Sequence, residues 1–158
     1  MSLTIWIDAD AAPSEMNEII FRVARRLSVR TVLVANRSLA VPPGHDSIST
    51  VCVDGGLDVA DRYIADHAHV GDLAITADVP LAAILVAQRV YVLDQRGGVF
   101  DAENVGERLS MRNALEVLRG AGAVTGGPRS YGARERQAFA SALDRTLTRA
   151  LREAAECG

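Results

Sequence analysis

Two aspartates, Asp8 and Asp10, end an apolar segment near the start of the chain, in the sequence IWIDADAAP. Residues i and i+2 of a strand point to the same side about 7 Å apart, so the two carboxylates project together. Asp78 ends a second apolar segment, LAITA, in the same way. Parallel strands of one sheet end at the same edge, where open parallel sheets bind ligands. We therefore expect Asp8, Asp10 and Asp78 on one rim.

Two further aspartates, Asp58 and Asp61, lie three residues apart at the start of a predicted helix over residues 57–68. This spacing places both carboxylates on one helix face, where they could converge with the rim. A structural alternative is that Asp58 caps the helix, because aspartate is a preferred N-cap residue. Asp54 precedes two glycines, and we interpret it as an ordinary turn residue.

A group of carboxylates repels itself unless a cation offsets the charge, and hard oxygen ligands suit Mg²⁺ or Mn²⁺. One or two such ions would activate a water molecule and stabilise charge at a phosphodiester. We expect Asp8 and Asp78 to be direct ligands, and the others to be ligands or to act through water. The predicted metal-binding and catalytic set is Asp8, Asp10, Asp58, Asp61 and Asp78.

Short apolar segments alternate with helical periodicity along the first part of the chain, which predicts an α/β domain with a mainly parallel five-stranded sheet. The predicted strands are 3–7, 31–35, 49–53, 73–77 and 90–94. Helices are predicted between them at 13–27, 57–68 and 80–88, with Leu57 facing inward, and beyond them at 105–119 and 133–155. We expect one domain over residues 1–158, with an α/β core at 1–96 and a helical extension at 97–158 packed on it. Four apolar residues in the last helix lie four apart and predict a buried stripe: Phe139, Leu143, Leu147 and Leu151.

The composition is that of a globular protein, with 158 residues, 49% hydrophobic residues and a net charge of -3. No apolar run approaches the roughly 20 residues that span a membrane, and no signal peptide is visible. The cysteines, Cys52 and Cys157, form neither a disulfide framework nor a CxxC metal pair. We expect a soluble, cytoplasmic protein without a membrane partner.

All 17 basic residues are arginines, and 11 of them lie in residues 89–158. Arginine can bind phosphate through two parallel hydrogen bonds, so these residues are candidates for holding a nucleic-acid backbone. A solvated helix also carries charge, and we favour that interpretation for Arg145, Arg149 and Arg152. Tyr131 could stack on a base, although packing is the simpler role. The candidates stand mostly in or beside glycine-rich loops and are Arg96, Arg112, Arg129, Arg134 and Arg136, of which we expect all but Arg129 to orient phosphate.

Four segments together resemble the uncharacterised bacterial YaiI/YqxD-like family over almost the whole chain. They are IWIDADAAP, VDGGLDVADRYIADHAHVGDLAITADVPLAA, VLDQRGG and GGPRSYGARERQAF. The resemblance implies a divergent three-layer PIN-like fold, similar in pattern to PIN and NYN ribonucleases. It also implies a nuclease that depends on Mg²⁺ or Mn²⁺ and acts on nucleic acid, with RNA expected.

In that pattern, acids follow the first strand, begin a helix and follow the fourth strand. These positions correspond here to Asp8 and Asp10, to Asp58 and Asp61, and to Asp78. Similar sequences usually read DADACP, whereas this chain has Ala12 in place of the cysteine. A thiol therefore has no role at that position. A second copy of the chain and a protein regulator stay open as further partners.

Two other functions stay open from the sequence. Haloacid-dehalogenase-like phosphatases also place DxD after the first strand, with the first aspartate as nucleophile and the second as general acid/base. Those residues would be Asp8 and Asp10, although such enzymes generally use a lysine near the phosphate and this chain has none. Arginine could substitute. The third possibility is a non-catalytic PIN-like module that binds RNA or a protein.

The remaining motifs predict no other cofactor. The three histidines, His45, His67 and His69, are expected at the surface, and we assign no zinc site. No GxGxxG follows the first strand, so the glycines do not form a dinucleotide fingerprint.

Overall fold

The strands form one six-stranded sheet in a computed structural model that describes residues 2–10, 12–44, 46–56, 58–122 and 130–157. The order across the sheet is β3-β2-β1-β4-β5-β6. The first five strands in the chain run parallel, and the sixth runs antiparallel to β5. The strands are Thr4–Asp8 (β1), Arg30–Ala35 (β2), Ile48–Cys52 (β3), Leu73–Ile75 (β4), Tyr91–Leu93 (β5) and Val99–Phe100 (β6).

Helices cover both faces of the sheet, which gives three layers. The helices are Ser14–Leu27 (α1), Val59–His67 (α2), Val79–Ala87 (α3), Val105–Gly120 (α4) and Ala133–Cys157 (α5). Helices α1 and α5 pack on one face, whereas α2 and α3 pack on the other, and α4 lies against α3. The two central strands, β1 and β4, are buried on both sides, which explains their nearly continuous apolar sequences.

Alternate residues of β1 enter different cores. Ile5 and Ile7 belong to the core under α1 and α5, whereas Trp6 belongs to the core under α2 and α3. The period of two along a strand then directs Asp8 to the same side as Trp6. The carboxyl end of β1 therefore presents an acid toward α2 and α3.

The long C-terminal helix α5 confirms the predicted apolar stripe. Phe139, Leu143 and Leu147 are fully buried in the core under α1 and α5, and Leu151 is partly buried against it. Helix α4 differs, because none of its residues is buried. The extension therefore contributes one core helix and one peripheral helix.

The expectation of five strands is corrected to six. After β5 the chain turns at Asp94 and returns as β6, with Asp94 N–H donating to the Gly98 carbonyl over 2.9 Å. A strand of two residues directly after two glycines carries too little periodicity to be predicted. Three residues named in the sequence analysis, Leu57, His45 and Arg129, lie outside the described residues.

No described helix combines the length and apolar character needed to cross a bilayer. Even the 25-residue helix α5 carries charged residues throughout.

Candidate active site at the carboxyl edge of the sheet

The site is built on the neighbouring strands β1 and β4. Their register pairs Ile7 with Ile75, so Asp8 and Thr76 are side by side where the two strands end. The buried Thr76 hydroxyl donates to Asp8 Oδ2 over 2.9 Å. The same hydroxyl accepts from the Asp78 N–H over 3.0 Å. Thr76 thus links the two aspartates that the sequence predicted to share a rim.

Asp78 is the N-cap of α3. Its Oδ1 accepts from the Leu81 N–H over 2.8 Å, and Pro80 occupies the first turn. An N-cap carboxylate satisfies a helix N–H that has no partner inside the helix, and the helix dipole favours its negative charge. The local sequence DVPL therefore holds the Asp78 side chain in place at the edge of the sheet.

Asp58 and Asp61 reach the same place from the start of α2. Asp58 occupies the N-cap position with φ 64°, in the left-handed region, and its side chain makes no capping hydrogen bond. Its carboxylate is thus not used as the cap that the structural alternative required. Carboxylate oxygens of Asp58, Asp61 and Asp78 all lie within 4.8 Å of one another. We call these three residues the acid triad.

Burial and neighbouring negative charges raise the pKa of two aspartates of the site, Asp61 and Asp8. The pKa of Asp61 is raised to about 7, first by burial, then by a hydrogen bond with Asp78 and by the negative charges of neighbouring aspartates. The pKa of Asp8 is also raised, chiefly by burial, although the Thr76 hydrogen bond acts in the opposite direction. The charges that add to this rise come from Asp78 and Asp10. A proton on Asp61, hydrogen-bonded to Asp78, relieves the repulsion, and a cation could do so as well.

Another strand-end acid, Asp94, shows how the fold neutralises a carboxylate that serves structure. Asp94 Oδ1 accepts from the N–H groups of Arg96 and Gly98, each over 2.8 Å, and Oδ2 accepts from Arg108 over 2.9 Å. None of the five predicted ligands has such an ion pair within the part of the chain that the structure describes. Their carboxylates therefore have no basic partner among the described residues.

Asp10 lies at the margin of the site. It is exposed, and its Oδ1 accepts from the Asn36 N–H over 2.9 Å at the end of β2. Its charge still acts on Asp8. The structure therefore brings three of the five predicted acids together, attaches Asp8 to them through Thr76, and leaves Asp10 at the edge.

Two of the arginines predicted to bind phosphate, Arg96 and Arg112, already lie beside a carboxylate. Arg96 lies 3.6 Å from Glu135 and donates to the Ser130 carbonyl over 3.4 Å. Arg112 pairs with Glu116 over 2.8 Å within α4. These two guanidinium groups would have to exchange a carboxylate partner for phosphate.

The last two arginines begin α5. Arg134 is exposed, and Arg136 is partly buried. The charges of Arg96 and Arg136 act on Tyr131, which packs on the α1–α5 side of the sheet. Burial is the main cause that raises the Tyr131 pKa. Arg96 and Arg136 therefore lie near Tyr131, whereas the acid triad lies on the α2–α3 side.

The donor set of the triad fits a hard divalent cation. Mg²⁺ binds oxygen at about 2.0–2.1 Å, so opposite ligand atoms lie about 4 Å apart. Three oxygens cannot all be opposite one another, and neighbouring ligand oxygens lie about 2.9 Å apart, so oxygens within 4.8 Å of one another would move inward when an ion binds. All three ligands are carboxylates, the oxygen donors that Mg²⁺ and Mn²⁺ prefer.

Two supporting groups were absent from the sequence prediction. Thr76 could have been found, because it lies two residues before Asp78 and near the end of the predicted strand 73–77. The Asn36 backbone N–H that binds Asp10 could not, because only the pairing of β1 with β2 brings it there.

The amino-acid sequence of the chain matches a family of known proteins. The model of the family described as uncharacterized BCR, YaiI/YqxD family matches residues 6–149. The chain belongs to the YaiI/YqxD family. It is 55% identical over 147 residues to a UPF0178 protein of Myxococcus xanthus strain DK1622, covering 93% of this chain and 95% of that protein. A UPF0178 protein of Trichlorobacter lovleyi is 53% identical over 154 residues, covering 96% and 98%.

The matched range, residues 6–149, spans the acids described above and Thr76. In this YaiI/YqxD family protein, Ala12 is partly buried against the core under α1 and α5. The free thiols of Cys52 and Cys157 are exposed elsewhere.

Proposed function

We propose that this protein is a metal-dependent phosphodiesterase that hydrolyses RNA, as the PIN-like resemblance of its sequence suggests. One observation carries the proposal. Asp58, Asp61 and Asp78 gather their carboxylates within 4.8 Å, with no basic partner among the described residues. Acids grouped in this way are costly to the fold unless a proton or a cation offsets their charge.

In this proposal the triad would hold Mg²⁺ or Mn²⁺, which when bound would supply an activated water molecule and stabilise negative charge at the phosphate. Asp78 is held for that role by its bond to the Leu81 N–H. Asp8 is oriented by Thr76 through Oδ2, so Oδ1 is the atom that we propose to accept a proton from water. A raised pKa suits Asp8 to that task, because a base with a higher proton affinity accepts a proton more readily.

The backbone of the substrate would lie along the carboxyl edge of the sheet. Arg134 is exposed at the start of α5 and is the most accessible of the predicted phosphate ligands. Arg96, Arg112 and Arg136 stay predictions for the same role. Free, exposed cysteines suit the reducing cytoplasm in which we propose that the protein acts.

The test is cleavage of a fluorescently labelled single-stranded RNA in Mn²⁺ or Mg²⁺, with EDTA as the metal-free reference. We expect Asp61→Asn and Asp78→Asn to reduce the rate about a hundredfold or more, as is typical for loss of a catalytic group. Asp66→Asn is the matched control, because Asp66 is an exposed aspartate on the same helix α2. Metal-dependent cleavage that survives Asp61→Asn, or its absence in the unmodified protein, would contradict the proposal.

The phosphatase alternative gives a different result. A phosphoryl group trapped on Asp8 during hydrolysis of p-nitrophenyl phosphate would show that Asp8 is a nucleophile. Cleavage of RNA without such an intermediate supports the nuclease instead. RNA binding without cleavage in either metal would favour the non-catalytic module.

A further inference from the structure

A cleft of about 650 Å³ opens at the amino edge of the sheet, opposite the acid triad. It lies where β1, β2, β4 and β5 begin and where α5 ends. Its volume is in the range of small-molecule sites, roughly 300–1,000 Å³. Its lining includes Leu3, Arg30, Val70, Arg89, Tyr91 and Ala154.

One wall of the cleft is apolar. Leu3, Tyr91 and Ala154 line it, and Val70 overhangs it with 73% of its surface exposed. An aliphatic side chain so exposed gains free energy when an apolar group covers it. The wall therefore suits a ligand with an aromatic or aliphatic body.

The carboxylates that line the cleft are already satisfied. The buried Asp72 accepts from the Thr4 N–H, the Trp6 indole N–H and the His69 N–H, each within 3.0 Å. Glu153 pairs with Arg149 over 2.9 Å. Glu153 is therefore offset by a cation, whereas the three N–H donors occupy the oxygens of Asp72 without cancelling its negative charge.

The two arginines that line the cleft, unlike Glu153, carry a charge that no described residue pairs. Arg30 and Arg89 are both exposed, and neither forms an ion pair within the described ranges of the chain. Arg30 begins β2, and Arg89 precedes β5 in a left-handed conformation with φ 62°. Strands β1 and β4 lie between them, which separates the two backbones by about 14 Å at the spacing of a sheet.

We infer that this cleft binds a small amphipathic anion. Its apolar body lies between Val70, Tyr91 and Ala154, and its carboxylate, sulfonate or phosphate group pairs with Arg30 or Arg89. Arginine suits this task because its guanidinium group donates two parallel hydrogen bonds to such an anion. The site is separate from the acid triad and does not depend on the proposed hydrolysis.

The probe is 8-anilinonaphthalene-1-sulfonate, which combines an aromatic body with one anionic group. We expect its addition to shift the backbone amide NMR signals of Val70, Gly71 and Tyr91, which surround the cleft. Signals of Met111 and Val117, exposed apolar residues on α4, serve as the reference for unspecific adsorption. Shifts confined to α4, or no shifts at saturating probe, would overturn the inference.

Two sets of variants test separately how the cleft binds the apolar body and the anionic group of the ligand. Ala154→Trp fills the cleft and should abolish the shifts, whereas Ala155→Trp places the same ring on an exposed neighbouring position. At least one of the two variants Arg30→Gln and Arg89→Gln should weaken binding about fivefold or more, because the charge-assisted pair with the anionic group is lost. Arg145→Gln, an exposed arginine of α5 outside the cleft, should leave affinity unchanged.

The unbound NMR spectrum of each variant shows whether it is folded. Affinity that is equal in the unmodified protein, Ala154→Trp and both arginine variants would place the probe elsewhere and refute the site. RNA cleavage by Ala154→Trp reports on the acid triad independently, so failure of one proposal is distinguishable from failure of the other.

Discussion

The Thr76 hydroxyl donates to Asp8 Oδ2 over 2.9 Å at the point where β1 and β4 end together. Because the same hydroxyl accepts from the Asp78 N–H, one small side chain sets the relative positions of two acids 70 residues apart in the chain. The acid triad is completed by α2, which approaches from the same side of the sheet.

Divalent cations should raise the melting temperature of the protein. A ligand that binds only the folded state stabilises it, and the effect grows with the ratio of free ligand to dissociation constant. We expect Mn²⁺ or Mg²⁺ to produce this shift in the unmodified protein, and Asp78→Asn and Asp61→Asn to reduce or remove it. Differential scanning calorimetry with metal and with EDTA is the measurement. Asp66→Asn should keep the full shift, and an unchanged melting temperature in all four proteins would leave the triad without a metal.

Stability without metal should depend on pH through Asp61. The folded-state pKa of Asp61 is about 7, against an ordinary value of 3.8, so the folded protein holds a proton that the unfolded chain has lost. The contribution of this carboxyl to stability is therefore fully present below about pH 4 and is lost as the pH rises through about 7.

Replacing Asp61 with asparagine removes that dependence. In EDTA, the free energy of unfolding of Asp61→Asn minus that of the unmodified protein should increase between pH 5 and pH 8, because only the unmodified protein loses stability over this range. Urea denaturation followed by Trp6 fluorescence measures it. The same comparison for Asp66→Asn should be flat, and a flat curve for Asp61→Asn would mean that its carboxyl titrates normally.

Thr76→Val should destabilise the protein by about 1–2 kcal/mol, because it leaves the Asp78 N–H without its buried acceptor. It should also raise the pKa of Asp8 further, since the Thr76 hydrogen bond favours the carboxylate. NMR titration of the Asp8 side chain reports the pKa, and urea denaturation reports the stability. Thr76→Ser retains the hydroxyl and should stay close to the unmodified protein in both. An unchanged Asp8 pKa in Thr76→Val would show that the hydroxyl is not its partner.

Asp72→Ala should destabilise the fold by roughly 3 kcal/mol or more, because three N–H groups lose their acceptor in a buried setting. The effect is structural and should leave the metal response of the folded protein intact. Urea denaturation is the measurement, and Trp6, the single tryptophan, reports on it directly. Asp72→Asn retains one acceptor oxygen and should cost less. Equal stability of Asp72→Ala and the unmodified protein would contradict the role assigned to this carboxylate.

Local periodicity was sufficient to predict most of the fold. The apolar segments ending at Asp8 and Asp78 are short and nearly continuous, as expected for strands covered on both faces, and the helices between them repeat at helical spacing. The stripe containing Phe139 and Leu143 correctly indicated that the last helix is buried against the sheet. Each of these features depends on residues close together in the chain. The spacing of apolar residues is therefore enough to predict it.

The sequence by itself also determined which acids follow strands and begin helices, and hence which carboxylates could meet. Only the tertiary structure decided which of them do. The crossover connections placed β4 beside β1 and α2 against the same face, so Asp61 joined Asp78 while Asp10 turned toward β2. The tertiary structure also decided that Arg108 neutralises Asp94, whereas no described residue forms an ion pair with the triad. Such pairings depend on strand order and register, which arise from packing across the whole domain rather than from neighbours in the chain.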